Sequence, residues 1–283
     1  MNTKITRSLT GRPLRRWAFL ALALVALPFH PASLNAQTNS ARDERHGESG
    51  GEGPAHLVLT YKCPPANRAA FRAFMETQGV AQFEQWKRSG GVKNYLILFS
   101  SFVNEQLADM WVVLDFEKFV DIAKWQEIER QFPGGLSPAG LALATPRTCV
   151  YTDMNWADGQ SGHDISKSVF MIIPYSSLTD VGIYFDFIDK YVMPQLKGWR
   201  ESGILLSYGL YTDQNPPTAP WHTVFVYEYA GMKGIALRDV LKTATRAALK
   251  DQPAYAHYSD IKQTIRKEQE PATYVAILPP GQK

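Results

Sequence analysis

From residue 55 onward the chain alternates short apolar runs with longer stretches in which apolar side chains recur every three or four positions. HLVLTYK (56–62) predicts a strand, ended by Pro64-Pro65. Phe71, Phe74, Met75 and Gln78 then follow helical spacing, continued by Phe83 and Trp86 until Gly90-Gly91 stops the helix. Strands near 92–101 and 109–116, a helix over 117–130 and a strand RTCVYT (147–152) complete a first set. A second set opens with SVFMIIPY (168–175) and a helix over 180–202, expected to break or restart at Pro194 because proline clashes inside a helix. Strands near 204–213 and 221–229 flank the turn-forming Gln214-Asn215-Pro216-Pro217. Helices over 233–250 and 256–268 precede a last strand, TYVAIL (273–278).

The two sets are copies of one another. At an offset of 113, residues 58–116 align without a gap on 171–229: Phe74 on Phe187, Gln82 on Gln195, Trp86 on Trp199, Ser89-Gly90 on Ser202-Gly203 and Tyr95 on Tyr208. A repeat of this length is one supersecondary unit used twice. The reading is therefore a first copy over 55–152, a linker over 153–167 and a second copy over 168–283. Each copy has the order strand, helix, strand, strand, helix, strand, which is the ferredoxin-like βαββαβ arrangement of two helices on one face of a four-stranded antiparallel sheet. The bare face of each sheet needs cover, and the other copy's sheet is the nearest source.

On the repeated strand, the Phe/Tyr-rich helix, W-x-x-S-G (Trp86–Gly90 and Trp199–Gly203) and the paired strands, residues 56–278 resemble the dimeric α/β-barrel superfamily. The form is a tandem pseudo-dimer within one polypeptide, with no single family indicated. The resemblance implies an α+β fold in which the two ferredoxin-like repeats form an intrachain pseudo-dimeric α/β barrel. It also implies the range of roles in that superfamily: small monooxygenases, haem-binding and haem-degrading enzymes, chlorite dismutase-like proteins, lyases and stress-related proteins. Ligands there sit between sheet and helices or near the barrel interior. Haem is a cofactor the resemblance allows, as is none; a fold alone does not confer a function.

Ahead of the repeats, Lys4, Arg7, Arg12, Arg15 and Arg16 precede the apolar run Trp17–Leu27 and the small residues before Gln37. This order predicts a signal peptide over 1–36 and a periplasmic or secreted product. The apolar run is too short for a stable span, which needs about 20 residues, and no later segment reaches that length. Residues 37–54, polar and rich in Gly, Ser and charge, read as a disordered lead-in. The charge picture changes with the leader: the whole chain carries 30 Lys+Arg against 27 Asp+Glu, but five of those cations and none of the acids lie in 1–36. The processed chain is then slightly acidic, which argues against nucleic acid as a partner. In an exported protein the pair Cys63 and Cys149 can form a disulfide. Cys63 ends the first strand and Cys149 begins the fourth, neighbours in a ferredoxin-like sheet, so a bridge is expected, with two separate thiols as the alternative. No metal site is expected.

Alternation along the third strand of each copy separates two faces. Met110, Val112, Leu114 and Phe116, with Thr223, Phe225, Tyr227 and Tyr229, belong under the helices. Asp109, Trp111, Val113 and Asp115, with His222, Val224, Val226 and Glu228, belong on the face turned to the other copy. Ionisable groups there are costly unless paired, so His222, Glu228 and Asp115 are the candidate catalytic residues, although His222 and Glu228 stand roughly 20 Å apart along a straight strand. Tyr95, Trp111, Tyr208, Tyr227 and His257 are the candidate ligand contacts. His56 and His163 read as peripheral. H-E-x-x-H, G-x-S-x-G and the phosphate and dinucleotide glycine motifs are missing, which removes the usual sequence warrant for hydrolase, kinase and nicotinamide chemistry. The function expected is an exported small-molecule enzyme, monooxygenase-like or haem-dependent, acting on an aromatic or apolar molecule as monomer or homodimer. The alternatives are a binding protein for a hydrophobic ligand or haem, and a structural or interaction module.

Overall fold

The structure is a computed structural model that describes residues 53–160, 162–214 and 219–281. The expected leader and all but the last two residues of the lead-in lie outside the described residues. The first copy comprises β1 (Ala55–Lys62), α1 (68–88), β2 (Asn94–Ser100), β3 (Met110–Phe116), α2 (Ile122–Gln131) and β4 (Thr145–Gly159). The second comprises β5 (Val169–Ser177), α3 (181–201), β6 (Leu205–Asp213), β7 (Thr223–Tyr229), α4 (Gly231–Leu249), α5 (Pro253–Ile265), β8 (Arg266–Glu268) and β9 (Ala272–Ile277).

Eight strands close into an antiparallel barrel in the order β1-β3-β2-β9-β5-β7-β6-β4, with β4 returning to β1. Within each copy the order is ferredoxin-like, and the copies meet edge to edge. The last strand of each copy makes both joints. β4 pairs with β1 over Thr145–Thr152 and then with β6 over Thr152–Gly159. In the second copy β8 and the start of β9 run along β5, and Tyr274–Ile277 cross to β2. Residues 153–159, read from sequence as the start of a linker, are thus the strand that seals one seam.

Both faces of the barrel wall are buried, which is why strands such as β1, β5 and β7 are mostly apolar on both faces instead of alternating. Outside, Leu57, Leu59, Phe71, Phe83, Trp86, Val112 and Trp125 pack α1 and α2 on the first copy, and Ile173, Tyr184, Phe187, Trp199, Phe225 and Tyr227 pack α3 to α5 on the second. Inside, Val58, Leu98, Trp111, Val113, Phe170, Ile172, Trp221, Val224, Val226 and Tyr274 fill the barrel. The face assignment expected for β3 and β7 holds along both strands.

The two long helices repeat in detail. Each contains one π-helical turn, Met75–Gly79 and Ile188–Val192, at the same place. The turn in α3 lies just before Pro194, but α1 has the same turn with Ala81 at the matching position, so proline occupies a break that the fold already makes. Each helix ends alike: the Trp86 and Trp199 carbonyls accept from the Ser89 and Ser202 hydroxyls, at 3.1 and 2.8 Å, and Gly90 and Gly203 both take φ 74°. That left-handed cap favours glycine.

Two expectations are corrected. The offset of 113 holds for the helices and for β2/β6 and β3/β7, but β1 matches β5 at 114: Leu57, Leu59 and Tyr61 correspond to Met171, Ile173 and Tyr175 under the helices. A one-residue slip in a strand would exchange its faces; the first copy absorbs it with one more residue between Tyr61 and Phe71 than between Tyr175 and Tyr184. The Cys63–Cys149 bridge is not formed, and both thiols are free. Cys149 stands opposite Leu59, four residues before Cys63. At roughly 3.3 Å per residue that separation is about 13 Å, beyond the ~7 Å Cα limit of a disulfide. The fourth strand begins at Thr145 opposite Lys62, earlier than its sequence pattern indicates, and this places Cys149 in mid-strand.

Alkylation under denaturing, non-reducing conditions is expected to add two groups per chain by intact mass, where a bridged chain would take up none. A Cβ at Gly90 would meet nothing within 4 Å, whereas one at Gly135 would meet Trp125 Cη2 at 2.8 Å, and both glycines have positive φ. Gly90→Ala is therefore expected to cost about 1–2 kcal/mol of left-handed strain, and Gly135→Ala more, as read from urea unfolding midpoints.

Candidate functional site at the barrel mouth

β3 and β7 run in the same sense around the barrel, since each is antiparallel to a neighbour that the next antiparallel joint turns back. Their C-terminal ends therefore open at the same mouth. Asp115 and Glu228, at matching positions, both line a cavity of about 370 Å³ there. Its apolar walls are Leu96, Val113, Ile165 and Phe170, and Ser207 and Tyr211 add hydroxyls.

Each carboxylate is held by a histidine that the sequence reading set aside. His56 on β1 stands directly opposite Asp115 in the β1–β3 register, and its Nδ1 lies 2.9 Å from Asp115 Oδ1. His56 is buried, and its ring meets that of Tyr211 edge-on at 5.7 Å. Glu228, 4% exposed, lies 2.5 Å from His163 Nε2 and accepts from the Ser168 and Ser207 hydroxyls at 2.6 and 2.5 Å. Three partners on one buried carboxylate satisfy its acceptor capacity and hold it in place. Asp115 keeps about a third of its side-chain surface open, and among the described residues its carboxylate has His56 as hydrogen-bond partner. Burial first, and the Asp115 charge second, push the Tyr211 hydroxyl well above its ordinary pKa, so it stays a donor at neutral pH. The mouth thus combines a fixed carboxylate, a second carboxylate with an open face, and a protonated phenol.

The remaining expected residues disperse. His222 precedes β7 at the opposite barrel end, where its Nδ1 accepts the Ser177 backbone N–H at 3.2 Å, so the expected grouping with Glu228 and Asp115 does not form. A strand too straight to fold back on itself is the reason. Trp111 lies inside the barrel below the mouth and donates to Tyr274 Oη at 3.0 Å. Tyr95 packs on Phe83 under α1 and donates to Glu84 at 2.6 Å, and it also lines the cavity. Tyr208 and Tyr227 pack on the helix side of the second copy, and His257 is exposed on α5. Of the residues missed, His56 was legible once β1 and β3 are paired in register. His163 approaches Glu228 from the linker, which no periodicity orders, and Ser168 from the first residue of the second copy.

Haem does not fit the described residues. His163 commits both ring nitrogens, to the Gln160 carbonyl and to Glu228. His56 does not line the mouth cavity, and neither His222 nor His257 reaches it. Between the helices and sheet of the second copy the open space is about 40 Å³ and has no histidine on its wall; ligand pockets usually measure roughly 300–1,000 Å³. Among the described residues no three His, Cys, Asp or Glu side chains converge as a metal site, and no helix is long and apolar enough to cross a membrane.

No protein-family model matches the chain, and no curated protein is significantly similar to it in sequence. Solved structures do resemble it. A putative monooxygenase from Lactobacillus acidophilus NCFM superposes with a TM-score of 0.51 at 12% identity, covering 80% of this chain and 95% of that one. An anthrone oxidase-like protein gives 0.51 at 9% identity over 80% and 91%. A variant of chlorite dismutase from Candidatus Nitrospira defluvii gives 0.50 at 12% identity over 84% and 96%. At these identities the likeness is one of fold: the chain is a dimeric α/β barrel of the ferredoxin-like kind, built as a tandem pseudo-dimer from one polypeptide.

Proposed function

We propose that the chain is an exported small-molecule enzyme of the oxidoreductase kind, monooxygenase-like, which takes an aromatic or apolar substrate at the barrel mouth. The observation that carries this reading is Asp115, backed by His56, on the wall of a cavity of about 370 Å³ that mixes apolar side chains with Glu84, Lys87, Asn94 and Glu228. The fold shared with a monooxygenase-like and an anthrone oxidase-like protein supports the reaction class, and the basic, apolar and small-residue order of 1–36 supports export.

In this scheme the open oxygen of Asp115 accepts a proton from a substrate O–H or activated C–H. His56 positions the carboxylate from behind. The Tyr211 hydroxyl donates to the substrate oxygen on which negative charge develops, where a preformed donor in a site shielded from water is most effective. The resulting electron-rich anion reduces molecular oxygen: a C–O bond forms to give a peroxide, which takes up the proton, and loss of water by O–O cleavage leaves a C=O, so one oxygen atom ends in the product and the other in water. Glu228, satisfied by three partners, shapes the far wall.

With anthrone as probe and oxygen uptake as readout, Asp115→Asn is expected to lower the protein-dependent rate about 10²-fold or more, the usual worth of a general base. His56→Gln is expected to lower it less and to shift the pH profile. Equal rates for the parent chain and Asp115→Asn would overturn the assignment of the base, and a parent rate no faster than buffer would overturn the oxidase reading. Export predicts that protein recovered from the expressing cell begins at Gln37 by intact mass; a product retaining 1–36 would refute it.

A further inference from the structure

The second copy carries an unusual concentration of unsatisfied polarity between its helices and its sheet. Among the described residues, seven side chains have a fully buried polar atom without a hydrogen-bond partner, and six belong to this layer: Tyr184, Tyr191, Trp199, Thr223, Tyr255 and Arg266. Tyr184 stands beside Thr223 and Arg266, and Tyr255 beside Tyr191 and Arg246, close enough to act on one another's hydroxyls; Trp199 Nε1 has no such neighbour, and a buried donor left unmade costs about 1–3 kcal/mol. The first copy shows what the layer needs for packing alone, because Phe71 and Met110 occupy the positions of Tyr184 and Thr223. The hydroxyls are therefore an addition to a layer that folds without them.

Two of these residues, Trp199 and Arg266, line a small cavity of about 40 Å³ in the same layer. A water needs roughly 10–15 Å³ measured this way, so there is room for about three waters or one group with three or four oxygens. Its wall is cationic. Arg238, Lys242 and Arg246, four residues apart on α4, all line it, and Arg266 from β8 lines the opposite side; Glu268 is the single carboxylate on the wall. Like charges four residues apart on a helix repel, and none of the three can turn away without leaving the wall. Arg238 donates to Tyr229 Oη at 3.2 Å, Arg246 donates to Gln195 Oε1 at 2.9 Å, and the Arg266 guanidinium lies 3.9 Å over the Tyr175 ring. Arg238 also pairs with Asp239 at 3.4 Å, so four cations on the wall face Glu268 on the wall and Asp239 beside it. The unpartnered atoms of the two wall residues, Trp199 Nε1 and Arg266 Nη1, are both donors.

We propose that this cavity binds a small oxyanion, of the size of a carboxylate or phosphate group, held by Trp199 Nε1, Arg266 and the basic stripe of α4. It is separate from the barrel mouth and does not depend on the reaction assigned there. The test is a titration of the intact chain with sodium phosphate, and separately with sodium acetate, at constant ionic strength maintained with sodium chloride. The Trp199 indole ¹⁵N–¹H resonance is the readout, assigned by its loss in Trp199→Phe. A saturable shift of that resonance with phosphate or acetate is expected, and which anion binds tighter identifies the group. Lys242→Gln, at a half-buried position with no core contact to lose, is expected to raise the dissociation constant about tenfold, the loss of one charge-assisted contact. A Trp199 resonance unmoved by either anion, or moved equally by chloride, would overturn the proposal, as would an unchanged affinity in Lys242→Gln.

Discussion

A four-stranded antiparallel sheet has two edges, and an unpaired edge is a row of unmet backbone donors and acceptors. In this chain the last strand of each copy removes that problem by serving two partners in succession. β4 leaves β1 at Thr152 and continues along β6, while β9 leaves β5 and continues along β2. Every other feature of the barrel depends on those two crossings. They turn two open sheets into one ring, bury both faces of the wall and bring the ends of β3 and β7 to a common mouth.

Closure also explains why the interior is a core for most of its depth. Trp111, Trp221, Phe170 and Tyr274 fill the middle of the barrel, as side chains do in a ring of eight strands. Among the described residues the mouth keeps open space, where the strands end and two carboxylates project. Their different company sets their different roles. Glu228 is enclosed by His163, Ser168 and Ser207, and Asp115 is backed by His56 with one side open.

Duplication left the two copies alike in backbone and unlike in lining. The π turns, the tryptophans and the left-handed glycine caps recur at one spacing, because each solves a packing or termination problem common to both helices. The helix–sheet layers diverge. The first is apolar apart from groups such as the Tyr61 hydroxyl, which donates to the Gly134 carbonyl, and the second holds hydroxyls, Arg266 and the basic face of α4, longer than its counterpart α2. A layer already sealed by apolar packing in one copy is free to become polar in the other.

The amino-acid sequence by itself determined the duplication, the order of the elements and the two faces of β3 and β7, since these follow from local periodicity and from Trp, Gly and Pro at fixed spacings. It also placed Asp115 and Glu228 on the inward face. Tertiary structure alone decided their company: Cys149 lies opposite Leu59 instead of Cys63, His56 faces Asp115, and His163 reaches Glu228 across 65 residues. The reason is physical. Alternation tells which side of a strand a residue occupies, but pairing register and closure of the ring tell what stands opposite it, and those depend on hydrogen bonds between segments far apart in the chain.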